Sequence, residues 1–72
     1  MIRAIIIDDE QEGRNTLQNM LGNFCKNVEV VDVAEDVQSG ILAIEKQKPN
    51  LVFLDIHMPD GTGFDLLEQI PE

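Results

Sequence analysis

The sequence predicts an α/β protein in which short strands alternate with helices around a parallel sheet. Three apolar segments rich in β-branched residues, 2–7, 28–34 and 51–55, are each followed by a segment with helical periodicity. The links between them are short, so each strand is expected to reach the next through a right-handed crossover. The predicted order is β-α-β-α-β-α, and 72 residues leave room for one domain at most.

The first strand and helix have a clear pattern. Residues 2–7 contain one polar side chain, Arg3, and are followed by three consecutive acids, Asp8-Asp9-Glu10. The predicted helix then carries a single apolar stripe at the spacing of a helical face. Glu12 near its start and Lys26 near its end suit the helix dipole. The stripe consists of Leu17, Met20, Leu21, Phe24 and Cys25.

The second unit is predicted to place its strand at an edge of the sheet. Residues 28–34 mix valines with Glu29 and Asp32, a pattern typical of a partly exposed strand. Asp36 is predicted to cap the helix that follows. Pro49 is expected to end that helix, because proline cannot continue the hydrogen-bond ladder.

The third strand runs directly into a loop rich in turn residues. Residues 51–55 are four apolar residues and a carboxylate, and such a continuous apolar run is typical of a strand covered on both faces. The loop contains Pro59 and the turn pair Asp60-Gly61. A third helix is expected from Phe64, with Thr62 as its candidate cap.

Composition argues against several classes of protein. The chain has 14 acidic and 5 basic residues and a formal net charge of -9. This charge disfavours nucleic-acid binding by the segment, because phosphates would be repelled, and it favours cations or basic partner surfaces. A single cysteine excludes an internal disulfide and a cysteine-based zinc cluster. The apolar run 4–7 is too short for a signal peptide or membrane span, so we expect a cytoplasmic protein with no membrane contact.

Carboxylates follow two of the predicted strands. Asp8 and Asp9 come after the first strand, and Asp55 ends the third. If these strands are parallel neighbours, about 5 Å apart, the three carboxylates share one crevice at the edge where open sheets bind ligands. Like charges that close favour a hard divalent cation such as Mg²⁺. The residues alone leave open the alternative that these acids only cap a helix or shape a turn.

A cation in this crevice would also suit phosphoryl chemistry. A carboxylate can act as a nucleophile and form an aspartyl phosphate. A bound metal can bridge to a phosphoryl oxygen and offset its charge. The three acids are therefore compatible with phosphoryl chemistry on one of their carboxylates.

The acid pair, the strand-terminal Asp55, and Met58-Pro59 followed by Gly63 resemble the receiver domain of bacterial two-component response regulators. Residues 53–67 are most similar to receivers that precede a LytTR-type DNA-binding domain. The resemblance runs over the whole chain and covers about the first three of five βα units. It implies a flavodoxin-like, doubly wound parallel sheet with strand order 2-1-3 out of a full 2-1-3-4-5, an order for which receivers are a known example.

The resemblance also implies a role for each site residue. Asp55 matches the phosphoacceptor, which takes a phosphoryl group from the phosphohistidine of a sensor histidine kinase. Asp9 matches a direct Mg²⁺ ligand, and Asp8 matches the acid that acts largely through metal-bound water. Asp55 and the backbone carbonyl of His57 complete the protein ligands. The implied function is control of an output, with transcription regulated through a DNA-binding domain outside this segment.

Two residues of the receiver pattern have no counterpart in the chain. They are the Ser or Thr that ends the fourth strand of receivers and the Lys that ends the fifth. We therefore expect residues 1–72 to be the N-terminal portion of a single, truncated receiver domain that binds metal weakly and does not switch. An unpaired third strand and a first helix without its neighbour predict a homodimer or swapped assembly through strand three or the exposed helical faces.

Two other functions compete with the switch. A metal-dependent phosphohydrolase of haloacid-dehalogenase type would use Asp55 as its nucleophile. Such enzymes carry an Asp two residues after the nucleophile, where this chain has His57, so the pattern argues against that function. A receiver-like module that never takes phosphate is the third hypothesis, and the acid pair beside Asp55 disfavours it.

Overall fold

The computed structural model describes residues 1–70, in which a three-stranded parallel sheet forms the centre. Its strands are β1 (Ile2–Ile7), β2 (Val28–Ala34) and β3 (Leu51–Leu54). Their order is β2-β1-β3, and β1 pairs in parallel with both neighbours. The predicted 2-1-3 arrangement is therefore confirmed, and the apolar first strand lies in the middle of the sheet.

Three helices and one small hairpin complete the described residues. α1 (Gln11–Phe24) connects β1 to β2, α2 (Val37–Gln47) connects β2 to β3, and α3 (Gly63–Glu68) follows β3. Between β3 and α3, His57–Met58 pairs with Gly61–Thr62 in an antiparallel hairpin, where the sequence analysis expected a loop. Two-residue strands are too short for the alternating pattern that identifies a strand. In the described part of the chain, none of the helices has the length and apolar character that crossing a membrane requires.

The main core lies between the sheet and the two helices α2 and α3. Leu66 of α3 is completely buried, and Met58 brings the hairpin into the same cluster. Burying side chains of this size is the main source of stability in a small domain. The buried residues of this cluster are Ile5, Ile7, Ala34, Val37, Ala43, Met58 and Leu66.

The opposite face of the sheet is covered less completely by α1. Leu21 is the buried residue of this helix. Met20 is 52% exposed and Phe24 80% exposed, although both belong to the predicted apolar stripe. Helical periodicity reports which residues share a face, and it does not report whether another element covers that face. An apolar surface therefore remains open on α1.

The N-terminus of α2 is capped by two acidic side chains. The carboxylate of Asp36 accepts from the backbone N–H of Ser39 at 2.8 Å, and the Ser39 hydroxyl accepts from the backbone N–H of Asp36, which confirms the predicted cap. The carboxylate of Asp60 accepts from the backbone N–H groups of Val37 at 2.8 Å and Gln38 at 3.0 Å. The two carboxylates accept from three of the four N–H groups that a helix start leaves without intrahelical partners, and the Ser39 hydroxyl accepts from the fourth.

Adjacent leucines on α3 provide a test of this packing. Leu66→Ala removes a fully buried side chain and should lower the free energy of unfolding by about 2–5 kcal/mol, because a cavity opens in the core. Leu67→Ala, at a position 57% exposed, should change it by less than about 0.5 kcal/mol. Urea unfolding followed by circular dichroism measures both values, and equal effects of the two substitutions would contradict the described core.

Candidate functional site

Three carboxylates converge at the carboxyl edge of the sheet. Asp8 and Asp9 follow β1, and Asp55 is the first residue after β3. One carboxylate oxygen from each of the three lies within 4.8 Å of the others. The register pairs Ile7 with Leu54, so the two strands end at the same level and their next residues meet. The predicted convergence of these side chains is therefore present in the structure.

The backbone of Asp8 is fixed by both neighbouring elements. Its N–H donates to the carbonyl oxygen of Ala34 at 3.0 Å, and the guanidinium of Arg14 donates to its carbonyl oxygen at 2.7 Å. Its carboxylate also accepts from the N–H of Glu10 at 3.0 Å. Glu10 is the N-cap residue of α1 and makes no side-chain capping bond. A capping role for the acid run thus accounts for one hydrogen bond of Asp8 and leaves the close approach of Asp9 and Asp55 unexplained.

The carboxylate of Asp55 is half-buried and oriented by its own loop. The backbone N–H of Asp55 donates to the carbonyl oxygen of Ile7 at 2.9 Å, which extends the ladder one residue beyond β3. One carboxylate oxygen accepts from the N–H of Ile56 at 2.8 Å. Asp8 and Asp55 both line a crevice of about 250 Å³, whose apolar wall includes Phe53. The structure thus presents Asp55 beside a small opening next to the other acids.

His57 lies two residues after Asp55, in the first strand of the hairpin. Its backbone pairs with Thr62, and its ring is exposed. The base of the hairpin is closed by the N–H of Gly63, which donates to the carbonyl oxygen of Ile56 at 2.8 Å. The segment that carries the His57 carbonyl is therefore held by backbone hydrogen bonds and begins next to Asp55 of the acid cluster.

The N-terminus of α3 is capped by the side chain of Thr62, as the sequence predicted. The hydroxyl of Thr62 accepts from the N–H of Asp65 at 3.0 Å, and the carboxylate of Asp65 accepts from the N–H of Thr62 at 3.0 Å. This reciprocal pair confirms Thr62 as the N-cap. It attaches the second strand of the hairpin to α3.

Asp60 is a structurally important acid that the sequence analysis treated as an ordinary turn residue. Its pKa lies below the ordinary value of 3.8, chiefly because the backbone N–H of Val37 donates to the carboxylate. Its contribution to stability is therefore present above that value and is lost as the pH falls through the lowered pKa. No local pattern could have identified it, since its partners Val37 and Gln38 lie 23 and 22 residues away in the chain.

The comparison with known families agrees with this geometry. The model of the response regulator receiver domain matches residues 4–72, so the chain belongs to the receiver domain family. An uncharacterized response regulatory protein of Vibrio parahaemolyticus is 45% identical over 67 residues, covering 93% of this chain and 27% of that protein. The sensory transduction protein LytT of Bacillus anthracis is 35% identical over 66 residues, covering 92% of this chain and 26% of that protein. A protein-glutamate methylesterase/protein-glutamine glutaminase of Geobacter sulfurreducens is 41% identical over 71 residues, covering 99% of this chain and 19% of that protein.

Solved structures confirm the fold class. The response regulator domain of Thermotoga maritima CheB superposes with a TM-score of 0.88 at 26% identity, covering 94% of this chain and 50% of that chain. The receiver domain of NarL from Mycobacterium tuberculosis superposes with a TM-score of 0.84 at 26% identity, covering 90% of this chain and 52% of that chain. The chain thus spans about a quarter of the length of the first two relatives and about half of the length of each solved receiver chain.

Gly63 offers a test of how the site is held. A Cβ at this position would lie 2.7 Å from the backbone oxygen of Asp55, which cannot swing away as a side chain can. Gly63→Ala should therefore lower the free energy of unfolding by about 1–3 kcal/mol and shift the NMR signals of Asp55. The control is Gly22→Ala on α1, where a Cβ would meet nothing within 4 Å. It should raise stability by up to about 1 kcal/mol. The close packing would be refuted if both alanines stabilised the protein.

Proposed function

We propose that this chain carries the phosphoacceptor site of a two-component response regulator. Asp55 accepts a phosphoryl group from the phosphohistidine of a sensor histidine kinase, with Mg²⁺ held by Asp8, Asp9, Asp55 and the backbone carbonyl of His57. The observation that supports this proposal is the convergence of three carboxylates to within 4.8 Å in a chain of the receiver family.

The spacing of the acids fits a Mg²⁺ site. Oxygen ligands of one octahedral Mg²⁺, each at about 2.1 Å, lie roughly 3–4 Å from one another. Oxygens that lie within 4.8 Å of one another are compatible with this spacing after at most a small inward movement, or with a water between the ion and one acid. A water-mediated contact is the role that the resemblance implies for Asp8. The bound ion would offset the charge of both the carboxylates and the phosphoryl oxygens.

The chemical step uses Asp55 as a nucleophile. A carboxylate oxygen forms a bond to phosphorus, the bond between phosphorus and the histidine nitrogen breaks, and the electron pair stays on that nitrogen. The step needs a proton on the other ring nitrogen of the kinase histidine, so that the imidazole leaves as a neutral ring. The hydrogen bond from the Ile56 N–H holds the Asp55 carboxylate in a fixed orientation before the transfer.

The output is proposed to be transcription, through a LytTR-type DNA-binding domain outside these residues. Support comes from the resemblance of residues 53–67 and from the relative named LytT. Similar receivers also occur in a relative named as a methylesterase, so the receiver fold alone does not define the output. The net charge of -9 argues that this segment itself does not contact nucleic acid. We place the protein in the cytoplasm, without membrane association, by analogy with the family.

A phosphorylation experiment tests the proposed function. We propose that residues 1–72 form the N-terminal portion of a receiver domain, supported by their coverage of 50% of a solved receiver chain. With acetyl phosphate and Mg²⁺, a protein that continues through the fourth and fifth receiver strands should gain one phosphoryl group, and Asp55→Asn should abolish the gain. Residues 1–72 alone should bind Mg²⁺ weakly and remain unmodified, because the hydroxyl and lysine of the receiver pattern are not among them. Intact-mass measurement gives both results.

Three outcomes would contradict parts of this proposal. Rapid, stoichiometric phosphorylation of residues 1–72 alone would contradict their predicted inactivity. A continuing protein that resists both acetyl phosphate and beryllofluoride would favour a structural module. Turnover of p-nitrophenyl phosphate that depends on Asp55 would favour the phosphohydrolase.

We also propose that residues 1–72 associate as a homodimer or swapped assembly. Support comes from β3, which lies at an edge of the described sheet, and from exposed apolar side chains such as Phe24 at 80% and Phe64 at 65%. Light scattering should show a mass that rises with concentration, and hydrogen exchange of the β3 amides should slow if the strand edge is the interface. A clean monomer at high concentration would count against the proposal.

A further inference from the structure

The carboxylate of Asp60 connects the loop of the acid site to a helix that carries none of the site acids. Asp60 lies at the turn of the hairpin, three residues after His57. Each of its oxygens accepts from a different backbone N–H at the start of α2, those of Val37 and Gln38. Hydrogen bonds to an ionised carboxylate are stronger than neutral ones, and the positive end of a helix favours the negative charge.

Close packing supports the same contact. Gly61 has φ +152, a backbone conformation that side chains rarely adopt, and a Cβ there would lie 3.2 Å from the Cγ2 atom of Val37. Met58 is 9% exposed and belongs to the core cluster that contains Val37. The hairpin turn therefore rests directly on the first turn of α2, with Asp60 as its polar anchor.

Backbone pairing within the hairpin links the position of His57 to that of the turn. The antiparallel pairs join His57 to Thr62 and Met58 to Gly61, so the strand that carries His57 moves with the turn. Among the described residues, two other hydrogen-bonded attachments of the hairpin are the Thr62–Asp65 cap and the bond from Gly63 to Ile56. Both of these lie at its base, whereas Asp60 fixes its tip.

We propose that Asp60 is a positioning residue for the metal site, which holds the hairpin on α2 so that the backbone carbonyl of His57 can join the three carboxylates around one cation. This inference rests on the proposed function and adds a residue outside the predicted ligand set. Asp60 acts through the hairpin and does not touch the cation. Its loss should leave the carboxylates of Asp8, Asp9 and Asp55 in place and loosen the backbone ligand.

The matched pair of variants is Asp60→Ala and Asp36→Ala. Both remove one negative charge from the start of α2, and both remove a carboxylate that accepts from backbone N–H groups of the same helix, so both should lower the urea midpoint. Only Asp60 lies on the hairpin. NMR titration with Mg²⁺, a method suited to weak binding, should show a dissociation constant raised on the order of tenfold for Asp60→Ala and unchanged for Asp36→Ala. Asp60→Asn keeps one acceptor oxygen and should give an intermediate value.

The titration separates this inference from the proposed function. If the unsubstituted protein binds Mg²⁺ and the Asp60→Ala and Asp36→Ala proteins have the same affinity, Asp60 is only a helix cap and the inference fails while the metal site stands. If the unsubstituted protein shows no Mg²⁺ binding at saturating concentration, the proposed site and the inference fail together. If Asp60→Ala does not fold, the comparison of Asp60→Asn with Asp36→Asn decides by the same criterion.

Discussion

The parallel pairing of β1 with β3 is the constraint on which the rest of the structure depends. Their register aligns Ile7 with Leu54, so both strands end at the same level and deliver Asp8, Asp9 and Asp55 to one point. The pairing itself is maintained by backbone hydrogen bonds and by burial of Ile5, Ile6 and Ile7 of β1. The fold can therefore force like charges together, although their repulsion opposes it.

This arrangement gives the site its chemical character. Carboxylates that the sheet holds close together favour any partner that brings positive charge, and a hard divalent cation supplies it in a small volume. The same cation would prepare the site for a phosphoryl group, whose oxygens need compensation as well. Sites of this kind often carry local strain or repulsion that the remainder of the domain must offset. Here the dense cluster between the sheet, α2 and α3 provides that support.

The sequence predicted the elements that have local signals. Apolar runs identified the three strands, and the side-chain chemistry of Asp36 and Thr62 identified two helix starts that the structure confirms. The meeting of Asp8, Asp9 and Asp55 followed from their positions at strand ends only once strands one and three were taken as neighbours, and their chemical roles remain proposals. The adjacency of strands one and three was inferred from the family resemblance, because the sequence of a short strand does not show which strand it pairs with.

The sequence could not predict contacts between distant segments. Asp60 bonds to N–H groups 22 and 23 residues away, and its surroundings in the chain show only a turn. The exposure of Phe24 could not be predicted for a related reason. Periodicity shows which residues share a helical face, and it does not show whether another element covers that face. The hairpin between Asp55 and α3 depends on pairs of residues too few to form a pattern.

The central proposal for this molecule is that two neighbouring strand ends form one cation site. A crystal structure of the protein soaked with Mn²⁺, which substitutes for Mg²⁺ and scatters anomalously, tests it most directly. We expect a single anomalous peak bonded to Asp9 and Asp55, with Asp8 contacting the ion directly or through water. The absence of a peak there at saturating Mn²⁺, or an ion bound only to unrelated surface acids, would contradict the proposed site.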